Sequence, residues 1–354
     1  MKKVFWVAIV SMIFIVLTGC SEGAKVVPDE SVKKKKEKLV VYTPTETDHL
    51  QDHLALFEKE HPDITLEIIR DSSGIVTSRL LAEKNNPKAD VIWGLGVESL
   101  IMFDEENMLA GYTPQGAENL LPQFADQKNE PMKWTGVSGY MTAISVNTAE
   151  MEKLGLPIPK SYEDLTDPQY KGLISMPNPA SSGTGFLTVA GLLQLFASEE
   201  EGWEYLDKLH GNMGVYTHSG SKPAVEAAVG EFPIGISFDG RSIKQEESGA
   251  PLVTVFPEEG SGWTIEANAL IEKETIKEEA KLFLDWAISR TAMESYGKYF
   301  ALTGIDLGSP PPVGYPEKLT EQLIDNDLYW AAEHRQEIVD KWIEKYDTKS
   351  EAKE

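Results

Sequence analysis

Apolar and polar positions along the chain switch between a period of two and a period near 3.6, and the switches mark the elements. Leu39-Val40-Val41-Tyr42 is a short, β-branched apolar run that stops at Thr43-Pro44-Thr45, which predicts a buried strand. Leu50, Leu54 and Phe57 recur at helical spacing between His49 and His61, and Pro62 closes that helix. Ile64, Leu66 and Ile68 alternate with other residues and predict a second strand. Beyond Asp71-Ser72-Ser73-Gly74, a helical stretch from Ile75 to Lys84 leads to a third strand, Asp90-Val91-Ile92-Trp93, ended by Gly94 and Gly96. Strands alternating with helices predict an α/β protein with a largely parallel sheet. In such sheets ligands sit at the carboxyl ends of the strands, where these loops lie.

The pattern continues after the middle of the chain. Met141 to Val146 predicts a strand that crosses into a second domain, and Leu173 to Met176 a strand entered through the turn-rich segment from Thr166 to Gly172. Ser181-Ser182-Gly183-Thr184-Gly185 opens an apolar helix from Phe186 to Phe196, and further helices fall at Trp203 to Leu209 and Lys222 to Gly230. The buried strand from Ile234 to Phe238 ends at Asp239-Gly240-Arg241, and Ile265 to Ile271 carries the chain back to the first domain. Ala280, Phe283, Leu284, Ala287 and Ile288 share one face of a helix. The charged residues from about Tyr346 onward are expected to fray. The implied division is a first lobe of residues 39–140 and 264–354 and a second of residues 141–263. A length of 354 residues accommodates two such domains.

The N-terminus changes the picture. Lys2-Lys3 precede an apolar run from Val4 to Leu17 and the small residues of Leu17-Thr18-Gly19-Cys20, the layout of a secretory signal peptide over residues 1–19. A membrane span needs roughly 20 apolar residues, more than this run supplies. Leu-Thr-Gly-Cys resembles the bacterial lipobox, which implies lipidation of Cys20, an exported protein and anchorage to the outer face of the cell membrane. Cys20 is the one cysteine, so no internal disulfide forms. Residues 20–38, with the basic run Lys33 to Lys36, have no apolar period and read as a tether.

Composition is globular, with 41% hydrophobic and 25% charged residues. The formal charge of −24 excludes a nucleic-acid partner, since nothing neutralises a phosphate backbone. It leaves room for a small anion in a locally positive site.

Enzyme chemistry finds little support. G-x-S-x-G and the phosphate-loop pattern are absent, and Ser219-Gly220-Ser221-Lys222 matches S-x-x-K without its S-D-N and K-T-G companions. His49 and His53 stand four apart on one helix, without the glutamate of H-E-x-x-H, and are expected to be solvated. No cofactor and no metal site are predicted.

Two loops point instead to anion binding. Ser72-Ser73-Gly74 and Ser181-Ser182-Gly183-Thr184-Gly185 each follow a strand and open a helix, whose free N–H groups and partial positive charge favour an oxyanion. Either loop alone reads first as a helix cap; a pair, one in each domain, points to a shared cleft. Glu46 and Asp239 follow strands and suit a cationic group, and Tyr42, Trp93 and Tyr140 lie near strand ends where an aromatic face attracts an ammonium. The competing readings make Tyr42 and Trp93 core residues and Asp239 a turn residue paired with Arg241.

From about Leu39 to Leu302 the chain resembles the ferric- and phosphonate-type extracellular solute-binding proteins, and within them the 2-aminoethylphosphonate-binding branch. The resemblance is carried by Asp71-Ser72-Ser73-Gly74, Ala82-Glu83-Lys84, Ala89 to Leu95, Ser182 to Thr188, Tyr216 to Pro223 and Ile234 to Phe238. It implies the two-lobe periplasmic-binding-protein fold of type 2, with mixed, mostly parallel sheets, helices on both faces and a ligand cleft between the lobes. It also implies a monomeric carrier working with an ABC permease and an ATPase subunit. Together with the loops read above, it leads to the expected ligand set Tyr42, Thr43, Glu46, Ser72, Ser73, Trp93, Tyr140, Ser181, Ser182, Thr184 and Asp239, with Ser73, Ser182, Thr184 and nearby backbone N–H groups on a phosphonate and Glu46 or Asp239 on its ammonium. Ferric binders of the superfamily use adjacent tyrosines where this chain reads Phe238-Asp239-Gly240, and a hard ferric ion is poorly served by one aspartate. Phosphate esters and other organic anions stay open as cargo, as does an unrelated hydrolase or adhesion role for a surface lipoprotein.

Overall fold

The computed structural model describes residues 36–352, so the leader, Cys20 and the tether through Lys35 lie outside the described residues. The first elements are β1 (Glu37–Thr43), α1 (Thr47–Glu60), β2 (Ile64–Arg70), α2 (Ser73–Ala82), β3 (Val91–Gly96), α3 (Val97–Glu105) and the short β4 (Leu109–Ala110). The long β5 (Thr135–Asn147) leads through α4 (Thr148–Leu154) to β6 (Ile174–Pro177), α5 (Gly183–Leu195), α6 (Glu199–Asn212) and β7 (Met213–Thr217). Next come α7 (Lys222–Val229), β8 (Ile234–Phe238), α8 (Asp239–Glu247), β9 (Leu252–Val255) and β10 (Trp263–Ile271). The last are α9 (Glu278–Ala287), α10 (Arg290–Tyr296), β11 (Leu302–Thr303), α11 (Leu319–Gln322), α12 (Leu328–Glu333) and α13 (Arg335–Tyr346).

The strand order β2-β1-β3-β10-β5-β8-β6-β7 contains two parallel groups, β2-β1-β3 and β7-β6-β8. Wherever β5 or β10 takes part, pairing is antiparallel. The sheet is therefore more mixed than the strand–helix rhythm predicts. Helical crossovers produce parallel neighbours, whereas strands that carry the chain out and back produce antiparallel ones. β5 starts six residues before the expected strand at Met141 and is buried along its whole length. Its partner changes at Met141: residues up to there pair with β10, and Thr142 onward pairs with β8.

Buried side chains gather in three clusters, two of which centre on the opposite halves of the molecule and the third on Leu80, Ile92, Phe103 and Ile265. Val41, Phe57, Trp93, Phe283 and Trp286 pack in the first half, with Trp93 edge-on to Phe283 at 5.1 Å and Phe57 edge-on to Trp286 at 5.0 Å. Each such fully buried aromatic contributes about 2–3 kcal/mol through removal of apolar surface from water. Ile144, Phe186, Trp203, Leu206, Tyr216 and Ile236 pack in the second half.

Three expectations meet a different structure. The C-terminal segment does not stay with the first half or fray: Ile338, Trp342 and Tyr346 are buried among Trp203, Leu206 and Tyr216 of the second half. The charged surface of α13 conceals a stripe at i, i+4, i+8 that needs an apolar partner. His49 and His53 are buried, at 5% and 1% exposure, because they belong to the inner face of α1 with Leu50 and Phe57. Asp239-Gly240-Arg241 is no turn but the first turn of α8.

Candidate functional site

Helix α2 begins where β2 ends, and its first turn runs into the loop that opens α5. The Gly74 N–H donates to the Ser181 carbonyl at 3.0 Å. A Cβ on Gly74 would lie 2.3 Å from the Ala180 oxygen, so only glycine allows this approach. Gly183 meets the same constraint from the other side, since its Cβ would lie 2.8 Å from Ser73 Oγ and 3.3 Å from the Tyr140 hydroxyl. The two serine-rich helix starts therefore face each other, as their shared composition suggests. A third loop joins them: a Cβ on Gly220 would be 2.4 Å from Thr184 Oγ1 and 2.9 Å from Ser182 Oγ.

These loops border a cavity of about 160 Å³, together with Glu46, His49, Arg70, Tyr140, Glu266 and the walls Pro44, Phe238 and Phe300. Of the residues singled out in the sequence, Glu46, Ser72, Ser73, Tyr140, Ser182 and Thr184 line it. Five do not. Tyr42 turns to Glu83, donating to its carboxylate at 2.9 Å. Trp93 lies in the core and donates to the Tyr296 hydroxyl at 2.8 Å. Thr43 bonds to Thr45 at 2.9 Å. Ser181 pairs with the His218 ring at 3.2 Å behind the loop. Asp239 is buried one residue beyond the lining Phe238, with Oδ1 accepting from the Gly240 N–H at 2.8 Å. Its expected partner Arg241 pairs instead with Glu46 at 3.0 Å and Asp48 at 3.7 Å.

Arg70 and Glu266 escaped the sequence reading, while His49 and Ser219-Gly220 were noted there but not assigned to the ligand site. Arg70 ends the strand just before the serine loop, and proximity was the available signal. Glu266 is the more telling case: a lone glutamate in the otherwise uncharged run Ile265 to Ile271 that carries the chain back to the first domain. A charged residue in such a run is either paired or functional.

The electrostatics follow from burial. Glu266 is pushed up to about 7 by desolvation, against the Ser138 hydroxyl that donates to it at 2.7 Å. The Glu46 and Asp239 charges push in the same upward direction. Desolvation likewise raises Asp239 to about 7, opposed by backbone N–H groups. Burial lowers His49 to about 4, so its ring is neutral near pH 7 and stacks on Tyr299 at 4.0 Å. Arg70 is steered by the Thr45 carbonyl at 2.7 Å and stands 3.5 Å from Glu46. The cavity thus combines hydroxyl and N–H donors from three loops with one guanidinium and two carboxyl groups. Such a set orients an oxyanion and hydrogen-bonding substituents on the same small molecule. Among the described residues, no group of three or more His, Cys, Asp or Glu side chains is placed to hold a metal.

An uncharacterized protein of Haemophilus influenzae is 32% identical over 319 residues, covering 87% of this chain and 90% of the relative. The structure of the periplasmic binding protein AfuA from Actinobacillus pleuropneumoniae, with fructose-6-phosphate bound, superposes with a TM-score of 0.81 at 32% identity. That match covers 88% of this chain and 99% of AfuA. A putative 2-aminoethylphosphonate-binding periplasmic protein of Salmonella paratyphi A is 27% identical over 149 residues, 42% of this chain and 41% of the relative. No helix among the described residues is long and apolar enough to cross a membrane. The pattern that defines bacterial extracellular solute-binding proteins matches residues 86–321, and the chain belongs to that family, as the substrate-binding component of an ABC importer that delivers a small solute to permease and ATPase subunits.

Proposed function

We propose that the solute is a small organic phosphate, with a phosphorylated sugar as the leading member of the class. The observation that carries this is the convergence of Ser72-Ser73, Ser182-Gly183-Thr184 and Ser219-Gly220 on one small cavity. Two helix N-termini and their hydroxyls supply donors to a phosphate, which needs several hydrogen bonds at once. Glu46, His49, Arg70 and Glu266 then face the remainder of the ligand, where carboxyl and imidazole groups suit sugar hydroxyls. The phosphate-sugar ligand in AfuA, a relative along nearly its whole length, supports the same class.

Transport follows from closure. The first lobe, residues 39–140 with the returning chain from 264 but without α13, contributes Ser73, and the second lobe, residues 141–263 with α13 packed on it, contributes Ser182 and Thr184. A ligand touching both favours the closed arrangement and shifts the population toward it, which the permease reads. No bond is made or broken. The carrier works as a monomer, exported and held to the membrane by a lipid on Cys20. Replacing Cys20 by serine then releases the protein into the medium, and retention of that variant in the membrane fraction rejects the anchor.

A second reading is 2-aminoethylphosphonate, favoured by Glu46 and Glu266, whose carboxyl groups suit an ammonium, and by the partial Salmonella match. A ferric ion is less well served. The lining offers a single phenol, Tyr140, held neutral by burial, and Glu46 is already engaged by Arg241. Titration calorimetry with fructose-6-phosphate, 2-aminoethylphosphonate, inorganic phosphate and ferric citrate decides among them. Binding of fructose-6-phosphate well above inorganic phosphate is expected. A preference for the aminophosphonate moves the assignment to the second reading, and binding of iron alone sinks both.

A further inference from the structure

The segment Asp347 to Glu351 follows α13 and lies against the back of the two loops that line the cavity from the second lobe. One Glu351 carboxylate oxygen accepts from the His218 N–H at 2.6 Å, and the other pairs with Lys222. The Glu351 N–H donates to the Tyr216 carbonyl at 2.9 Å. His218 directly precedes the lining residues Ser219 and Gly220, and its ring meets Ser181 Oγ at 3.2 Å. Ser181 in turn directly precedes the lining residues Ser182, Gly183 and Thr184.

A second thread runs in parallel. Asn178 Nδ2 donates to Asp347 Oδ1 at 3.1 Å and to Ser350 Oγ at 2.9 Å, while Asn178 Oδ1 accepts from the Ala180 N–H at 2.8 Å. The Asn178 carbonyl accepts from the Ser182 N–H at 2.9 Å.

We propose that Glu351 is a positioning residue for anion recognition, setting through His218 the register of both second-lobe loops. This rests on the reading of the cavity as a phosphate site. The bland alternative is a surface ion pair with Lys222, whose side chain is 43% exposed, and such pairs contribute little. That account leaves out the backbone bond to His218. A carboxylate holding a loop N–H through a charge-assisted bond restrains the loop itself, and loop placement decides whether several donors meet one phosphate together. Glu351 also occupies Lys222, the lysine adjoining the Ser219-Gly220 loop, which Glu226 approaches at 3.7 Å. The site then grips its anion with hydroxyls and N–H groups while this lysine is held aside.

Removing Glu351 has two opposed consequences, looser loops and a freed lysine, so the test is made in the Lys222→Ala background. Fructose-6-phosphate and inorganic phosphate are the probes, read by calorimetry, alongside melting temperature and amide hydrogen exchange of the unliganded protein. K222A/E351A is expected to bind about tenfold more weakly than K222A, the scale of one charge-assisted hydrogen bond. Its melting temperature stays within a few degrees, and exchange quickens at residues 181–184 and 218–220 alone. K222A/E351Q, which keeps an acceptor for the His218 N–H, recovers most of the affinity. Unchanged affinity and exchange in K222A/E351A overturn the proposal, and so does exchange that quickens throughout the second lobe. If wild-type protein binds neither probe, the phosphate reading fails, and local exchange in the unliganded variants still decides whether Glu351 sets the loops.

Discussion

The helix starts at Ser73 and Gly183 look alike in sequence and behave as different devices. At α5, Ser182 caps its own helix by accepting from the Gly185 N–H at 3.3 Å, and the helix behind it is buried from Thr184 to Leu193. Its loop is tied from behind through Asn178 and His218. At α2, Ser72 makes no side-chain cap bond, and half or less of the helix is buried. Its one bond to the facing loop is from the Gly74 N–H to Ser181. The same Ser-Ser-Gly chemistry is thus capped and tethered at one helix start and held by a single facing bond at the other, which under the proposed function makes the first a preorganised socket and the second a docking edge. Under the proposed closure mechanism the difference is useful: a fixed half keeps ordering costs low, and a weakly held half lets closure report the ligand.

The strongest way to break that contrast is to add one methyl to each helix start. A Cβ on Gly185 would lie 2.5 Å from the Pro177 carbonyl, inside the second lobe. Gly185→Ala is expected to lower folding stability by ~3 kcal/mol, as overpacking against backbone does, seen in urea melts of the free protein. A Cβ on Gly74 would lie 2.3 Å from the Ala180 carbonyl on the facing loop, so on the proposed closure mechanism Gly74→Ala obstructs chiefly the closed arrangement. It should weaken fructose-6-phosphate ~100-fold while leaving the melting point of the unliganded protein almost unchanged. Should both variants lose stability alike, the docking-edge description of α2 is wrong.

Next in size is the pH response of the ground between the two starts. Glu266 and Asp239 are both held near 7 in the folded protein by burial. The folded state then binds more protons than the unfolded state between about pH 4.5 and 7, so this contribution is full below that window and is lost as pH rises through it. Glu266→Gln should flatten the decline between pH 5 and 8 by on the order of 2 kcal/mol. An unchanged slope in denaturant melts would assign the decline to Asp239.

A smaller effect belongs to the charges that bridge α1 and α8. Arg241 reaches Glu46 at 3.0 Å and Asp48 at 3.7 Å, and Lys244 pairs with Asp48. Burial raises the Asp48 carboxyl, but Lys244, His49 and Arg241 outweigh it and hold it at about 2. Arg241→Ala is expected to weaken ligand binding about fivefold, more at low salt than at high salt, because the pair is partly exposed. Salt-independent loss would point to packing rather than charge. Smallest is Ser182→Ala, where loss of the cap should lower stability by ~1 kcal/mol, against almost no change for Ser72→Ala. Thermal melts of the two variants side by side check it.

What the sequence determined by itself was local. The runs at Leu39, Ile64, Val91 and Ile234 could only be strands, and the serine–glycine loops had to open helices, because hydrophobic period and capping chemistry act over a few residues. Tertiary structure alone decided which strand ends share a cavity, since that depends on β5 and β10 carrying the chain out and back. It placed Glu266 in the lining and Trp93 in the core, although both lie on apolar strands, because facing is set by pairing register and not by composition. It also brought Glu351 to His218 across 133 residues of chain, a contact between a charged tail and a backbone N–H that no periodicity encodes.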